Sequence, residues 1–226
     1  MTDIRCEGVV LRSTPYKDHA RIISLFTPCH GVLSLYVRGL SKKHPAKINL
    51  TTPLTRAEFV FKKGKSDLYT FVDGTILDLH LDLRSSYSHL DAAGKILQSI
   101  LKTQMPGKSA APLYVLLTSF LSRLEKAKFP ETFWATFELK LLKYEGLIDI
   151  SPKCNNCHEK NARMIVDGES QCPSCSKGGG VSFASNEWEL LQNLFEERSM
   201  TSLQTKELPP SLLQGVDALF QNALAH

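Results

Sequence analysis

Cys154, Cys157, Cys172 and Cys175 form two Cys-x-x-Cys pairs within SPKCNNCHEKNARMIVDGESQCPSCSKGGG, with fourteen residues between the pairs. A Cys-x-x-Cys turn aims two sulfurs at one point, and two such turns complete the tetrahedral shell of a zinc ion. The spacing therefore predicts a four-thiolate Zn2+ site. Four protein ligands leave no open position for water or substrate, so the metal's expected role is structural. A redox dithiol is the competing use of such pairs, but it calls for a thioredoxin-like βαβ context that this loop-rich segment lacks. The intervening ARMIVDGESQ reads as a short hairpin turning at Asp167-Gly168. His158 adjoins a shell that is already full and is read as a surface residue. Cys6 and Cys29 are read as packing or surface thiols.

Patterns that would carry catalysis are missing from the sequence. Gly94-Lys95 resembles the end of a phosphate-binding loop, yet His89 stands where the first glycine belongs and Ile96 where Ser or Thr would follow. There is no GxSxG, HExxH or GxGxxG. His19, His30 and His44 sit among basic loops with no carboxylate or nucleophile at a readable spacing. A protein that is not an enzyme is the expectation.

The elements that must position the cysteines follow from composition and periodicity. The 226 residues are 42% hydrophobic, which suits folded domains. No run approaches the roughly 20 apolar residues of a membrane span, and MTDIRCEGVV has no signal-peptide core. A cytoplasmic protein with reduced thiols and no membrane partner is expected. Charge is uneven: residues 1–65 carry 12 Lys/Arg against 4 Asp/Glu (+8), and the remainder 15 against 19 (−4). Such polarity suits either a solvated basic face or a polyanion partner for the N-terminal part.

Residues 4–80 read as β-structure. In ARIISLFTPCHGVLSLYVRG two strand-like runs flank Pro28-Cys29-His30-Gly31, and in TRAEFVFKKGKSDLYTFVDGTIL two more flank Lys63 to Asp67. With an opening strand over Cys6 to Arg12 this makes five strands. The split is three and two around the long connection LSKKHPAKINLTTP, the layout of a small, partly open OB-fold barrel. From about residue 84 the period becomes helical. Leu113, Leu116, Leu117, Phe120, Leu121 and Leu124 share one face, and Trp134, Phe137, Leu141 and Tyr144 another, after Pro130 and before Gly146. Two further helices are expected over Asn186–Glu197 and Pro210–Leu224. The predicted fold is a multidomain α+β protein with an OB-fold nucleic-acid-binding domain over 1–80 and a helical domain over 81–150. A zinc-ribbon-like segment is inserted over 151–183, and the C-terminal helices over 184–226 pack on the helical domain.

The order of these parts resembles a known family. An N-terminal GVVLRSTPYKDHARIISLFTPCHGVLSLYVRG, then FELKLLKYEGLIDISPKCNNC, then a second Cys-x-x-Cys and a serine-bearing helix start are similar to the bacterial recombination mediator family RecO. The resemblance covers nearly the whole chain. It implies a DNA repair factor of the RecF pathway that binds single- and double-stranded DNA and anneals strands coated with single-strand-binding protein. It also implies action with RecR to load the RecA recombinase. The implied partners are DNA, RecR and the C-terminal tail of single-strand-binding protein, and the implied location is the bacterial cytoplasm at the nucleoid.

An OB barrel binds strands through a basic track and stacking aromatics. The candidate phosphate contacts are Arg12, Lys17, Arg21, Arg38, Lys42, Lys43, Lys47, Lys62, Lys63 and Lys65. Tyr16, Tyr36 and Tyr69 are candidate stacking residues. The alternative is a zinc-ribbon scaffold that binds only proteins and whose basic barrel is incidental.

Overall fold

A computed structural model of the protein describes residues 3–41, 43, 45–64, 67–197 and 199–225. The chain divides into two compact units, 1–125 and 126–226. No described helix is long and apolar enough to cross a membrane.

The first unit contains β1 (Ile4–Pro15), β2 (Ala20–Thr27), β3 (Gly31–Arg38), a short helix α1 (Pro45–Asn49), β4 (Arg56–Lys62) and β5 (Leu68–Asp78). The five strands close into a barrel in the order β1-β2-β3-β5-β4. Closure depends on β1, which serves two neighbours: Ile4 to Val9 pair with β4 and Val9 to Pro15 with β2. A bulge between Val10 and Arg12 separates the two halves. Such an extra residue bends a strand, and here the bend carries β1 from one neighbour to the other. The sequence suggested a partly open barrel; the doubled pairing of β1 shuts it. The β3–β5 pair is parallel and the other pairs are antiparallel, giving the OB topology.

Alternation sets the two faces. Ile23, Leu25, Leu33, Leu35, Val37, Ala57, Phe59 and Phe61 point inward and are buried, while Ser34 and Arg38 on the intervening positions of β3 are exposed. The connection after β3 is more than a loop: Leu40, Ile48 and Leu50 from either side of and within α1 join the barrel core. At the β2–β3 turn, Gly31 has φ +58°, and a Cβ there would lie 2.1 Å from the Lys108 carbonyl oxygen, so no other residue fits.

Two helices, α2 (Tyr87–Thr103) and α3 (Ala111–Leu124), complete this unit. The stripe expected on α3 is largely buried: Leu113, Leu117, Phe120, Leu121 and Leu124 are 0% exposed, and Leu116 is half-buried.

The second unit opens with α4 (Pro130–Tyr144), followed by β6 (Met164–Val166), β7 (Glu169–Gln171), α5 (Pro173–Ser176) and β8 (Val181–Ser182). It closes with α6 (Ser185–Glu196), α7 (Met200–Leu203) and α8 (Pro210–Leu224). Helix α4 is buried on nearly every side, with Thr132 to Leu139 all inside, because both α6 and α8 pack on it. The one-sided stripe read from sequence therefore understates its burial, and Tyr144, assigned to that stripe, is 43% exposed. Lys140 Nζ donates to the Phe195 carbonyl at 2.6 Å, placing a cation at the C-terminal end of α6 where the helix dipole favours it.

Candidate nucleic-acid interface and metal centre

The cysteine segment folds as its spacing suggested. β6 and β7 form a hairpin whose turn is Asp167 (φ +50°) and Gly168 (φ +82°), and β8 adds a third strand on β6. Gly168 is held by more than turn geometry: a Cβ would lie 2.3 Å from the Leu147 carbonyl oxygen. One knuckle, Cys154 to Cys157, is closed by the His158 N–H donating to the Cys154 carbonyl at 2.9 Å. The other is the first turn of α5, with the N–H groups of Cys175 and Ser176 donating to the Cys172 carbonyl.

All four sulfurs lie within 4.8 Å of one another, and Cys157 Sγ and Cys172 Sγ are 3.8 Å apart. A tetrahedral ion with bonds near 2.3 Å separates its sulfurs by about 3.8 Å, so the cluster fits such an ion. The electrostatics agree. Backbone N–H groups, that of Cys157 foremost and then those of Cys172 and Asn156, draw the Cys154 thiol down to about 6 against the burial that opposes them. The hydrogen bond with Cys172, then burial and the other sulfurs, pushes Cys175 up to about 12. Cys154 thus ionises readily while Cys157 and Cys175 resist ionising beside it, a conflict that a bound cation removes. The cluster is compatible with a metal site.

The candidate phosphate contacts of the barrel fall into three groups. On β1, β2 and β3 the outward positions line up across the sheet: Arg12 opposite Ser24 and Ser34, then Thr14 opposite Ile22 and Tyr36, with Arg38 two residues beyond Tyr36. Tyr16, in the β1–β2 turn, meets Tyr36 edge to face with centroids 5.8 Å apart, and Lys17 Nζ lies 5.5 Å from the Tyr16 ring centre. Arg12, Lys17 and Arg38 are exposed and make no ion pair among the described residues.

The second group belongs to the connection after β3. Lys43 is exposed, and Lys47 reaches over Gly39 to lie 5.6 Å from the Phe71 ring centre. The Leu40 N–H donates to the His19 carbonyl at 2.8 Å, which ties this connection to the β1–β2 turn. Arg21 is half-buried and donates to Thr51 Oγ1 at 3.4 Å. The third group, Lys62 and Lys63, ends β4; Lys62 pairs with Asp3 at 3.4 Å and Lys63 is exposed. Lys42 and Lys65 lie outside the described residues. Tyr69 does not share the outer face of Tyr16 and Tyr36. It points inward, packs against the core and meets Phe61 at 5.3 Å.

Two clusters were not legible in the sequence. Glu7 Oε1 accepts from Arg56 Nε at 2.7 Å and from Tyr114 Oη at 2.8 Å, fastening α3 to β1 and β4. Burial pushes the Glu7 carboxyl up, but the two hydrogen bonds, that of Arg56 first, outweigh it and hold the group below its ordinary value. The Tyr114 hydroxyl is pushed well up by burial and then by Glu7. His80, buried at 2% exposure and with φ +46°, places Nδ1 2.8 Å from Glu125 Oε1 and 3.6 Å from Asp78 Oδ2. Partners separated by 107 and 45 residues leave no local pattern to read.

A closed OB barrel followed by helices and a four-thiol module defines the class: an α+β protein of the OB-barrel type with a C-terminal cysteine cluster. Residues 1–80 match the sequence model described as Recombination protein O N terminal, and residues 84–226 match that described as Recombination protein O C terminal. The chain belongs to the RecO family of DNA repair proteins. It is 28% identical to the DNA repair protein RecO of Chlamydia pneumoniae over 95% of this chain and 86% of that protein. Against the RecO of Chlamydia trachomatis serovar D the identity is 29%, over 98% and 93% of the two chains. Against that of Clostridium acetobutylicum it is 29%, over 80% and 75%.

Proposed function

We propose that the protein is a non-enzymatic recombination mediator that binds single- and double-stranded DNA. In this reading it anneals complementary strands coated with single-strand-binding protein and assists RecA loading together with RecR. The observation that carries the reading is the set of exposed cations on and beside the barrel that make no ion pair among the described residues, Arg12, Lys17, Arg38, Lys43 and Lys63, in a chain of a DNA repair family. Phosphate contact is blind to sequence, which suits a factor that must accept any strand. Lys62, already paired with Asp3, contributes less than its neighbours. The tail of single-strand-binding protein and RecR enter this account as partners through the family. So does action at the bacterial nucleoid.

The four thiols hold Zn2+ in a structural role, since four protein sulfurs fill its shell. The division into barrel (1–80), helical domain (81–150), zinc segment (151–183) and C-terminal helices (184–226) is proposed as the division of labour.

The test is DNA binding across a salt series by the full chain and by Arg38→Ala/Lys43→Ala/Lys47→Ala. Each neutralised phosphate adds about 0.9 to the slope of log affinity against log salt, so the triple variant is expected to lose up to about 3 units of slope. Absence of DNA binding at low salt would refute the reading and leave a scaffold that binds only proteins.

A further inference from the structure

We propose that Tyr36, braced edge to face by Tyr16, is a base-stacking platform that makes the outer face of the barrel prefer single-stranded over duplex DNA. The inference rests on the DNA-binding function proposed above and adds to it the strand preference and the residue that sets it.

Position comes first. Tyr36 stands at the middle of the outward face, between Ile22 on β2 and Thr70 on β5, with Ser24 and Ser34 in the next row. The outward positions around it include the short side chains Thr14, Ser24, Ser34 and Thr70, with the bulkier Ile22 beside them. Arg38 follows on the same face of β3 and Arg12 lies toward the other end, so cations flank the aromatic pair on both sides along the sheet. The pair is perpendicular, at 87°, so the two rings do not consume each other's faces by parallel stacking. Lys17 Nζ lies over the Tyr16 ring, where it can meet the phosphate of a nucleotide stacked on Tyr36.

The supporting turn is unusual in its backbone. Lys17 (φ +51°) and His19 (φ +57°) both hold left-handed conformations without being glycine. Such strain persists where surrounding structure enforces it and clusters at functional sites. Here the enforcing contacts are the Tyr16 N–H to the Ala20 carbonyl at 3.0 Å and the Leu40 N–H to the His19 carbonyl at 2.8 Å. The turn thereby delivers Tyr16 to Tyr36 and Lys17 to Tyr16.

The chemistry then discriminates between ligands. Phosphates are available in single and double strands alike, so Arg12, Lys17 and Arg38 do not choose between them. A base can stack on a side chain only when its face is free, and in a duplex the neighbouring pairs occupy both faces. An aromatic platform on this face therefore rewards the single strand alone.

The experiment uses the full chain with a fluorescein-labelled oligothymidine and a duplex of equal length, read by anisotropy at matched salt. Tyr36→Ala is expected to lose about 5- to 100-fold in affinity for the single strand, with duplex affinity unchanged within twofold and the salt slope unaltered. Tyr36→Phe is expected to keep wild-type binding, because the ring and not the hydroxyl stacks. Circular dichroism melting of each variant separates loss of the site from loss of the fold. As an independent measurement, irradiation of a 5-iodouracil-substituted strand should cross-link to Tyr36 or Tyr16. Equal loss for both ligands, or no loss for either, together with cross-links elsewhere, would overturn the platform while leaving DNA binding intact. A wild-type chain that binds neither ligand would instead overturn the function on which the inference rests.

Discussion

Replacing Tyr114 with Phe removes one hydroxyl and tests how α3 is fastened to the barrel. The Tyr114 hydroxyl donates to Glu7 Oε1 at 2.8 Å, and the same oxygen accepts from Arg56 at 2.7 Å. A hydrogen bond to a charged group contributes about 1.5–3 kcal/mol. The Glu7 side chain is 34% exposed, so water replaces part of what is lost and screens the remainder. The expected cost is therefore about 1 kcal/mol, or roughly 3–5 °C in the melting transition of the first unit. The effect depends on pH in a definite direction. Because the folded Glu7 carboxyl lies below its ordinary value of 4.5, its contribution is complete above that value and disappears as pH falls through the lower folded value. The gap between wild type and Tyr114→Phe should be full at pH 7 and shrink as pH falls below about 4.5. Thermal melts followed by circular dichroism across this range measure it. A variant as stable as wild type at pH 7, or a gap that does not shrink as pH falls below about 4.5, would refute the anchoring role assigned to this cluster.

Two further substitutions probe the second unit. Cys154→Ser is expected to lower bound zinc from about one ion per chain to none, by atomic absorption, and to destabilise the C-terminal unit, because the folding free energy tied to the metal goes with it. A variant that loses zinc yet melts unchanged would contradict the structural role. Gly168→Ala forces a Cβ to within 2.3 Å of the Leu147 carbonyl in a residue at φ +82°, and is expected to cost at least about 2 kcal/mol, read by urea denaturation.

Where the sequence was legible, the signals were local. Asp167-Gly168 after the apolar run Met164-Ile165-Val166 marked the turn of the β6–β7 hairpin, and Pro210 at the start of a helical stretch specified α8 to the residue. The cysteine spacing specified which four sulfurs meet. The barrel's strands were legible from alternation, but its closure was not, since that depends on a single bulge after Val10 that redirects β1. Helix α1 escaped notice because its five residues are too few to show a period. Tyr69 and Tyr36 look alike in sequence, and only the parallel register of β5 against β3 turns one inward and leaves the other on the outer face. Likewise, nothing local distinguishes Lys62, neutralised by Asp3, from Lys63, which stands exposed.

The activity proposed for this RecO family member is to bring complementary strands together through its basic barrel. The most direct measurement is the rate of annealing of two complementary oligonucleotides, each precoated with single-strand-binding protein, with the purified chain added and no nucleotide present. Annealing accelerated by the wild-type chain, slowed in the Arg38→Ala/Lys43→Ala/Lys47→Ala variant and falling with salt is the predicted result. Annealing no faster than with single-strand-binding protein alone would contradict the account.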